Sequence, residues 1–337
     1  MSIAKAPLAE ATDPARIAST LLGGRPVVAV RCRQSGNNQV FRIETDTGPL
    51  ALKLYGGGDV DAASRLMAET AALRFLSKTA CAGAVPRLRA AEPDLKAALH
   101  EWIDGEPLSE IGLDDLQQAA VFIQQIHDSR HQPSARALGD AKETCLSMAV
   151  LVSQIQRRFD RLRQIDHQGL ASFLGDAFAP VWRAVADAVP AWPPLPRDRQ
   201  TLSPSDFGFH NALRRTDGRI VFLDFEYFGW DDPAKLVSDF LWHPGMALGT
   251  PARAAFHTMA MAIYGGDADF ASRLVAGLPY YGLRWCLIVL NEFLPEAWQR
   301  RQSAGETSTW NCVAERQLAK ANILLERSRH MIEGSGS

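Results

Sequence analysis

The sequence predicts an α+β protein of two lobes: a small antiparallel sheet with one helix, then a large helical part carrying one β-hairpin. The first hundred residues hold most of the β-rich, alternating runs. After Asp104-Gly105-Glu106-Pro107 the pattern changes to helical periodicity. Within the helical part, residues 212–224 stand out as a β island. The boundary is set at a lobe of residues 1–103 and a lobe of residues 104–337, with a cleft implied between them.

Three strands open the chain, over Val27–Cys32, Gln39–Thr45 and Leu50–Tyr55. Asp46-Thr47-Gly48 supplies a hairpin turn between the last two. Alternation in Leu50-Ala51-Leu52-Lys53-Leu54-Tyr55 places Lys53 on the face opposite the leucines. Gly56-Gly57-Gly58 ends that strand, and Asp59 or Asp61 is expected to cap the next helix. That helix aligns Leu66, Glu69, Leu73 and Leu76 on one stripe. A carboxylate on an apolar stripe needs a cation, and Lys53 is the nearest candidate in sequence. Strands follow around Arg87–Ala91 and Ala97–Ile103. Leu116, Ala119, Ile123 and Ile126 mark a helix, and residues 142–188 and most of 251–330 read as helical. Residues 334–337, Gly-Ser-Gly-Ser, read as a flexible tail.

A chain of 337 residues with 47% hydrophobic and 22% charged residues is ordinary for a soluble globular protein. Its net charge of −2 provides no field for nucleic acid or an anionic membrane, so neither is an expected partner. The N-terminal stretch lacks the apolar core of a secretory signal, and no uninterrupted apolar run approaches a membrane span. Cys32, Cys81, Cys145, Cys286 and Cys312 are scattered and show no metal-ligand spacing. Free thiols in a cytoplasmic protein are the expectation.

The segment from Ser203 to Asp224 carries the chemistry. Taking Asp217-Gly218 as a two-residue hairpin loop pairs Thr216 with Arg219, and by extension Asn211 with Asp224. Directly opposed residues can share one cation, and few protein oxygens is the Mg²⁺ habit. Asp206 lies in the loop leading into the hairpin, placed to orient the proton of a hydroxyl. Singly, Asp206 and Asn211 also suit turns, and Asp224 suits a strand end. Their joint register favours the chemical reading.

With these residues in view, the chain resembles the aminoglycoside phosphotransferase and choline kinase family, small-molecule kinases with the bilobal protein-kinase-like fold. The resemblance spans roughly residues 25 to 300. It implies ATP as nucleotide, Mg²⁺ as cofactor and a small-molecule hydroxyl as acceptor. Ser35, Gly36, Asn37 and Asn38 resemble the nucleotide-covering loop. Lys53 matches the strand lysine on the phosphates, and Glu69 the helix glutamate that positions it. The backbone of Glu101 and Ile103 would meet the adenine edge. Asp206 matches the catalytic aspartate, Asn211 and Asp224 the metal ligands, and Asp232 and Asp239 structural acids. His127 matches a recurrent histidine at the end of a core helix, and reads as a core residue.

One position departs. The family usually carries a histidine two residues before the catalytic aspartate, and here that position is Pro204. The loop must be held differently. His210 either flanks the site or caps the loop. Glu226, Asp231 and Asp232 form either a solvated or capping run or an acidic pocket that favours a cationic acceptor. The competing classes are a nucleotide-binding module without transfer activity, supported by Pro204, and a metalloenzyme that uses no nucleotide. The acceptor and the oligomeric state stay open in the sequence.

Overall fold

The computed structural model describes residues 13–31, 38–186, 189–246, 248–304 and 306–334. Ser35, Gly36, Asn37, Cys32 and the tail after Gly334 lie outside the described residues.

Five antiparallel strands form the N-terminal sheet: β1 (Val28–Arg31), β2 (Asn38–Glu44), β3 (Leu50–Tyr55), β4 (Leu88–Glu92) and β5 (Ala97–Glu101). Their order is β1-β2-β3-β5-β4. A helix absent from the sequence reading, α1 (Pro14–Leu21), precedes them, with Asp13 accepting from the Ala15 N–H as its cap. Ile17 and Ala18 of α1 join Phe41, Ile43, Leu52 and Leu99 in one core on one face of the sheet. Helix α2 (Asp59–Leu76) covers the other face, with Leu66 packed against Tyr55 and Ala98. Period two therefore divides β3: Leu52 faces α1, and Lys53 faces α2. The cap of α2 is Gly58, with no side-chain bond, rather than Asp59 or Asp61. The Asp61 carboxylate instead accepts from Arg65.

The chain leaves the sheet after Glu101, and β6 (Glu106–Pro107) already pairs with the hairpin strand β8 (Ala212–Arg214) of the helical part. Helix α3 (Leu113–Ser129) buries Leu116, Ala119, Ile123 and Ile126 as the spacing predicts. The 142–188 stretch resolves into an irregular start, then α4 (Met148–Leu162), α5 (Gln168–Ser172) and α6 (Ala179–Ala186). Strand β9 (Ile220–Phe222) completes the hairpin. Beyond the expected β island, β7 (Thr201–Ser203) and β10 (Gly229–Asp231) pair with each other and bracket it.

All ten residues of α7 (Pro233–Trp242) are buried. The charged groups in and just before it are paired: Asp231 to Lys235 at 2.8 Å, Asp232 to Arg273 at 3.0 Å, and Asp239 to Arg284 and the Trp285 Nε1–H. Helices α8 (Thr250–Tyr264), α9 (Phe270–Ile288), α10 (Pro295–Ala304) and α11 (Trp310–Gly334) complete the lobe. Phe270–Phe293 reaches the length and hydropathy of a membrane span, but 72% of its most apolar window is buried. It is a core helix with paired arginines. Helix α10 reaches back to pack on β2.

Candidate active site

Lys53 and Glu69 meet behind the sheet. The Lys53 ammonium donates to Glu69 Oε2 at 2.6 Å and to Asp224 Oδ1 at 2.7 Å. Glu69 also accepts from the Tyr55 hydroxyl at 2.5 Å and the Phe225 N–H at 3.4 Å. Burial works against the Lys53 charge, but Asp224 and Glu69 outweigh it and hold the ammonium well above its usual range. Burial likewise opposes Glu69 ionisation, and Lys53 overcomes it, so Glu69 stays below the carboxylate range. Asp224 goes the other way. Burial raises it first, Lys53 pulls it back, and the carboxylates of Glu226 and Glu69 push it up again.

The hairpin register differs from the expected one by a residue. Ala212 pairs with Phe222, Leu213 with Val221 and Arg214 with Ile220. The loop has three residues, closed by Arg215 N–H donating to the Arg219 carbonyl, and Gly218 takes φ +83° in the left-handed region. This is the turn-plus-bulge solution, which shifts every pair by one relative to a two-residue loop. Asn211 consequently faces Leu223, whose N–H donates to the Asn211 carbonyl at 2.7 Å. Asp224 instead leaves the strand, at φ +64°.

Asn211 is joined to Asp206. Its Nδ2 donates to the Asp206 carbonyl at 3.0 Å and to Oδ2 at 3.2 Å. Among the described residues, neither Asn211 Oδ1 nor Asp224 Oδ2 accepts a hydrogen bond. Both are hard oxygens, and about a third of the Asp224 side chain is exposed (32%). Glu69, Asp224 and Glu226 also bring their carboxylate oxygens within 4.8 Å of one another. The Lys53 ammonium already lies among those three carboxylates at 2.6, 2.7 and 3.5 Å, so the oxygens whose chemistry suits a small hard cation such as Mg²⁺ are Asn211 Oδ1 and Asp224 Oδ2.

Asp206 itself is bonded to His210, whose Nε2 lies 3.1 Å from Oδ1. The His243 Nε2 stands 3.6 Å from the same oxygen. Burial opposes ionisation of Asp206, but the bonds from His210 and Asn211 prevail and hold it far below the usual carboxylate range. His243 was not foreseen. Its available signal was a histidine ending a helix ahead of Pro244-Gly245. Arg65, one turn before Glu69 on α2, was also overlooked; it pairs with Glu226 at 3.1 Å.

The remaining predicted residues fall into two groups. The Asn38 side chain is spent on Glu226 and Arg65, at 2.7 and 2.8 Å. The Glu101 N–H donates to the Arg87 carbonyl, and its carboxylate pairs with Arg215 at 3.2 Å. The Ile103 N–H has no partner among the described residues. Next to them His100 is buried with both ring nitrogens unpartnered, and burial pushes it down to about 4. His127 is structural: Nδ1 meets the Thr201 hydroxyl at 3.0 Å and the ring abuts Tyr264. Glu226, Asp231 and Asp232 are buried and paired, so they are not a solvated run, and Asp232 caps α7 by accepting from the Ala234 N–H.

A model of the phosphotransferase enzyme family matches residues 30–274. The chain belongs to the phosphotransferase enzyme family. Members of similar fold include the choline kinase LicA from Streptococcus pneumoniae, at 15% identity over 93% of this chain and 97% of that one, TM-score 0.56. A spectinomycin phosphotransferase solved with ADP and spectinomycin aligns at 12% identity over 92% and 99%, TM-score 0.57. An ethanolamine kinase from Plasmodium vivax aligns at 13% over 90% and 83%, TM-score 0.52. At such identities the likeness speaks for the fold, which is bilobal and protein-kinase-like as the sequence predicts. No curated protein sequence matches the chain. This chain is thus a phosphotransferase by family, and it shares its fold with small-molecule kinases.

Proposed function

We propose that this phosphotransferase moves the γ-phosphoryl group of ATP to a hydroxyl of a small molecule, an amino alcohol, aminoglycoside or sugar, with Mg²⁺ as cofactor. The observation that carries the reading is Lys53 held between Glu69 and Asp224 at 2.6 and 2.7 Å. Related folds solved with ADP or AMP support the nucleotide.

The glutamate fixes the ammonium, so Lys53 is already oriented toward phosphate oxygens. Ser35, Gly36, Asn37 and the backbone of Asn38 cover the nucleotide. The Glu101 carbonyl and the Ile103 N–H receive the adenine edge. Asn211 and Asp224 hold the metal ion, which when bound neutralises charge on the phosphates. Asp206 remains ionised and accepts the hydrogen bond of the incoming hydroxyl, which aims it in line. A strong base is not required, because phosphoryl transfer is mainly positioning and electrostatics. Glu226, Asp231 and Asp232 are paired with Arg65, Lys235 and Arg273, so the acceptor is assigned by its hydroxyl. The buried free thiols Cys81, Cys145 and Cys286 support a reducing compartment such as the cytoplasm.

The test is ADP release with MgATP across a panel of amino alcohols, sugars and aminoglycosides. One acceptor class is expected to turn over, and Asp206→Ala to abolish that turnover. MgATP binding with no transfer to any acceptor would mark a nucleotide-binding module instead.

A further inference from the structure

Pro204 leaves Asp206 without the histidine that the family usually places two residues earlier. Two other imidazoles stand at the carboxylate. The rings of His210 and His243 stack with centroids 3.7 Å apart and planes 8° from parallel. His210 comes from the short turn that leads into the hairpin, and His243 from the end of α7. The edge of Trp285 closes on His243 at 4.8 Å.

The proton positions follow from the partners. The Gly245 N–H donates to His243 Nδ1 at 3.1 Å, so that nitrogen carries no proton and the ring N–H is on Nε2. Nε2 is the atom facing Asp206 Oδ1. An ionised carboxylate only accepts, so His210 Nε2 is likewise the donor across 3.1 Å. His210 Nδ1 is buried with no partner, so a proton there would have nothing to donate to. Two glycines make the room. A Cβ on Gly208 would stand 2.8 Å from His210 Nδ1, and one on Gly245 would stand 2.9 Å from His243 Cε1.

We propose that His210 and His243 are a stacked positioning pair: His210 holds Oδ1 of Asp206 by its hydrogen bond, His243 backs that ring with its Nε2 3.6 Å from the same oxygen, and Oδ2, which also accepts from Asn211 Nδ2, is the edge presented to the acceptor hydroxyl. The pair does from the chain's other side what Pro204 does not do. This inference rests on Asp206 having the role proposed above. The three side chains also bring their ligand atoms within 4.8 Å of one another, a span that suits a metal ion. The near-parallel rings argue against it, because their in-plane lone pairs run side by side and do not converge on one point.

The experiment has two arms on the full chain. Long-range ¹H–¹⁵N NMR of the imidazoles is expected to show a proton on Nε2 of both His210 and His243, with the His210 signal moving in Asp206→Asn. An Nε2 without its proton in either ring, or displacement of those protons by added Zn²⁺ at stoichiometric amounts, would overturn the pair. In the kinetic arm, MgATP turnover with the panel acceptor is compared across variants. His210→Phe keeps the stack and removes the donor, and kcat is expected to fall on the order of 10²-fold with KM for ATP unchanged. His210→Gln restores an N–H at similar reach and recovers most of the loss. Equal impairment in the Gln and Phe variants would sink the positioning role. Retained transfer in Asp206→Ala, with both Nε2 protons in place, would refute the role of Asp206 and leave the geometry of the pair standing.

Discussion

Asn38 on β2 and Glu226 beyond the hairpin, 188 residues apart, share a 2.7 Å hydrogen bond that ties the sheet to the helical lobe. Arg65 completes the tie, donating to both. Removing one partner of a buried ion pair leaves the other charge stranded, at about 3–5 kcal/mol. Glu226→Leu and Arg65→Met are each expected to cost that much in denaturant unfolding. The double variant Arg65→Met/Glu226→Leu is expected to lose less than the sum, because neither charge remains. Additive losses would show that the two groups act independently.

The left-handed Gly218 sets the hairpin register that places Asn211 opposite Leu223, one residue before Asp224. Gly218→Ala meets open space, so its penalty is the backbone alone, about 1–2 kcal/mol. Thermal unfolding should fall by that amount while MgATP affinity is unchanged. A larger loss, or lost binding, would mean that the register itself has slipped.

That hairpin shows how far the sequence was legible. Asp217-Gly218 announced a turn, and alternation announced Lys53 and Glu69 on facing elements, which the structure joins at 2.6 Å. The loop length was not legible, because an Asp-Gly pair serves two-residue and three-residue loops alike. One residue of slip turned an expected Asn211–Asp224 pair into Asn211–Leu223. The short strands β7 and β10 escaped because three residues carry no measurable period. His243 escaped because its meaning depends on α7 ending beside a loop more than thirty residues earlier, a relationship that no local pattern encodes.

His100 contributes a pH dependence whose sign is fixed. Burial places it at about 4 in the folded protein, against an ordinary value of 6.5. Below 6.5 the unfolded chain binds the proton and the folded one does not, so His100 subtracts stability as pH falls from 6.5 to about 4. His100→Leu removes that proton site along with two unpartnered nitrogens. Its unfolding free energy is expected to fall less steeply than the parent's over that window, and to match or exceed it at pH 7. An unchanged slope would place the imidazole in a wetter setting than its burial indicates.

Thiol chemistry offers a check on the core. Cys81, Cys145 and Cys286 are buried, and burial raises each thiol, Cys81 to about 11 and Cys145 to about 12. Thiolates are the reactive form, so these three should resist a disulfide reagent until the chain is unfolded, while the exposed Cys312 reacts in the native state. Peptide mapping of the labelled sites reads this directly. Early labelling of Cys145 would show that the packing beside α7 opens on its own.

The left-handed backbone at Asp224 also constrains how this site can decay over evolutionary time. Only glycine, asparagine and aspartate adopt that conformation cheaply. Both alternatives lie one nucleotide change from either aspartate codon. Mutational drift that spares the fold is therefore channelled toward an uncharged residue with the same backbone, producing a well-folded descendant that keeps Lys53 and Glu69 but has lost one anionic oxygen. Silent relatives of this enzyme are best sought by asparagine or glycine at this position, more than by scattered damage in the core.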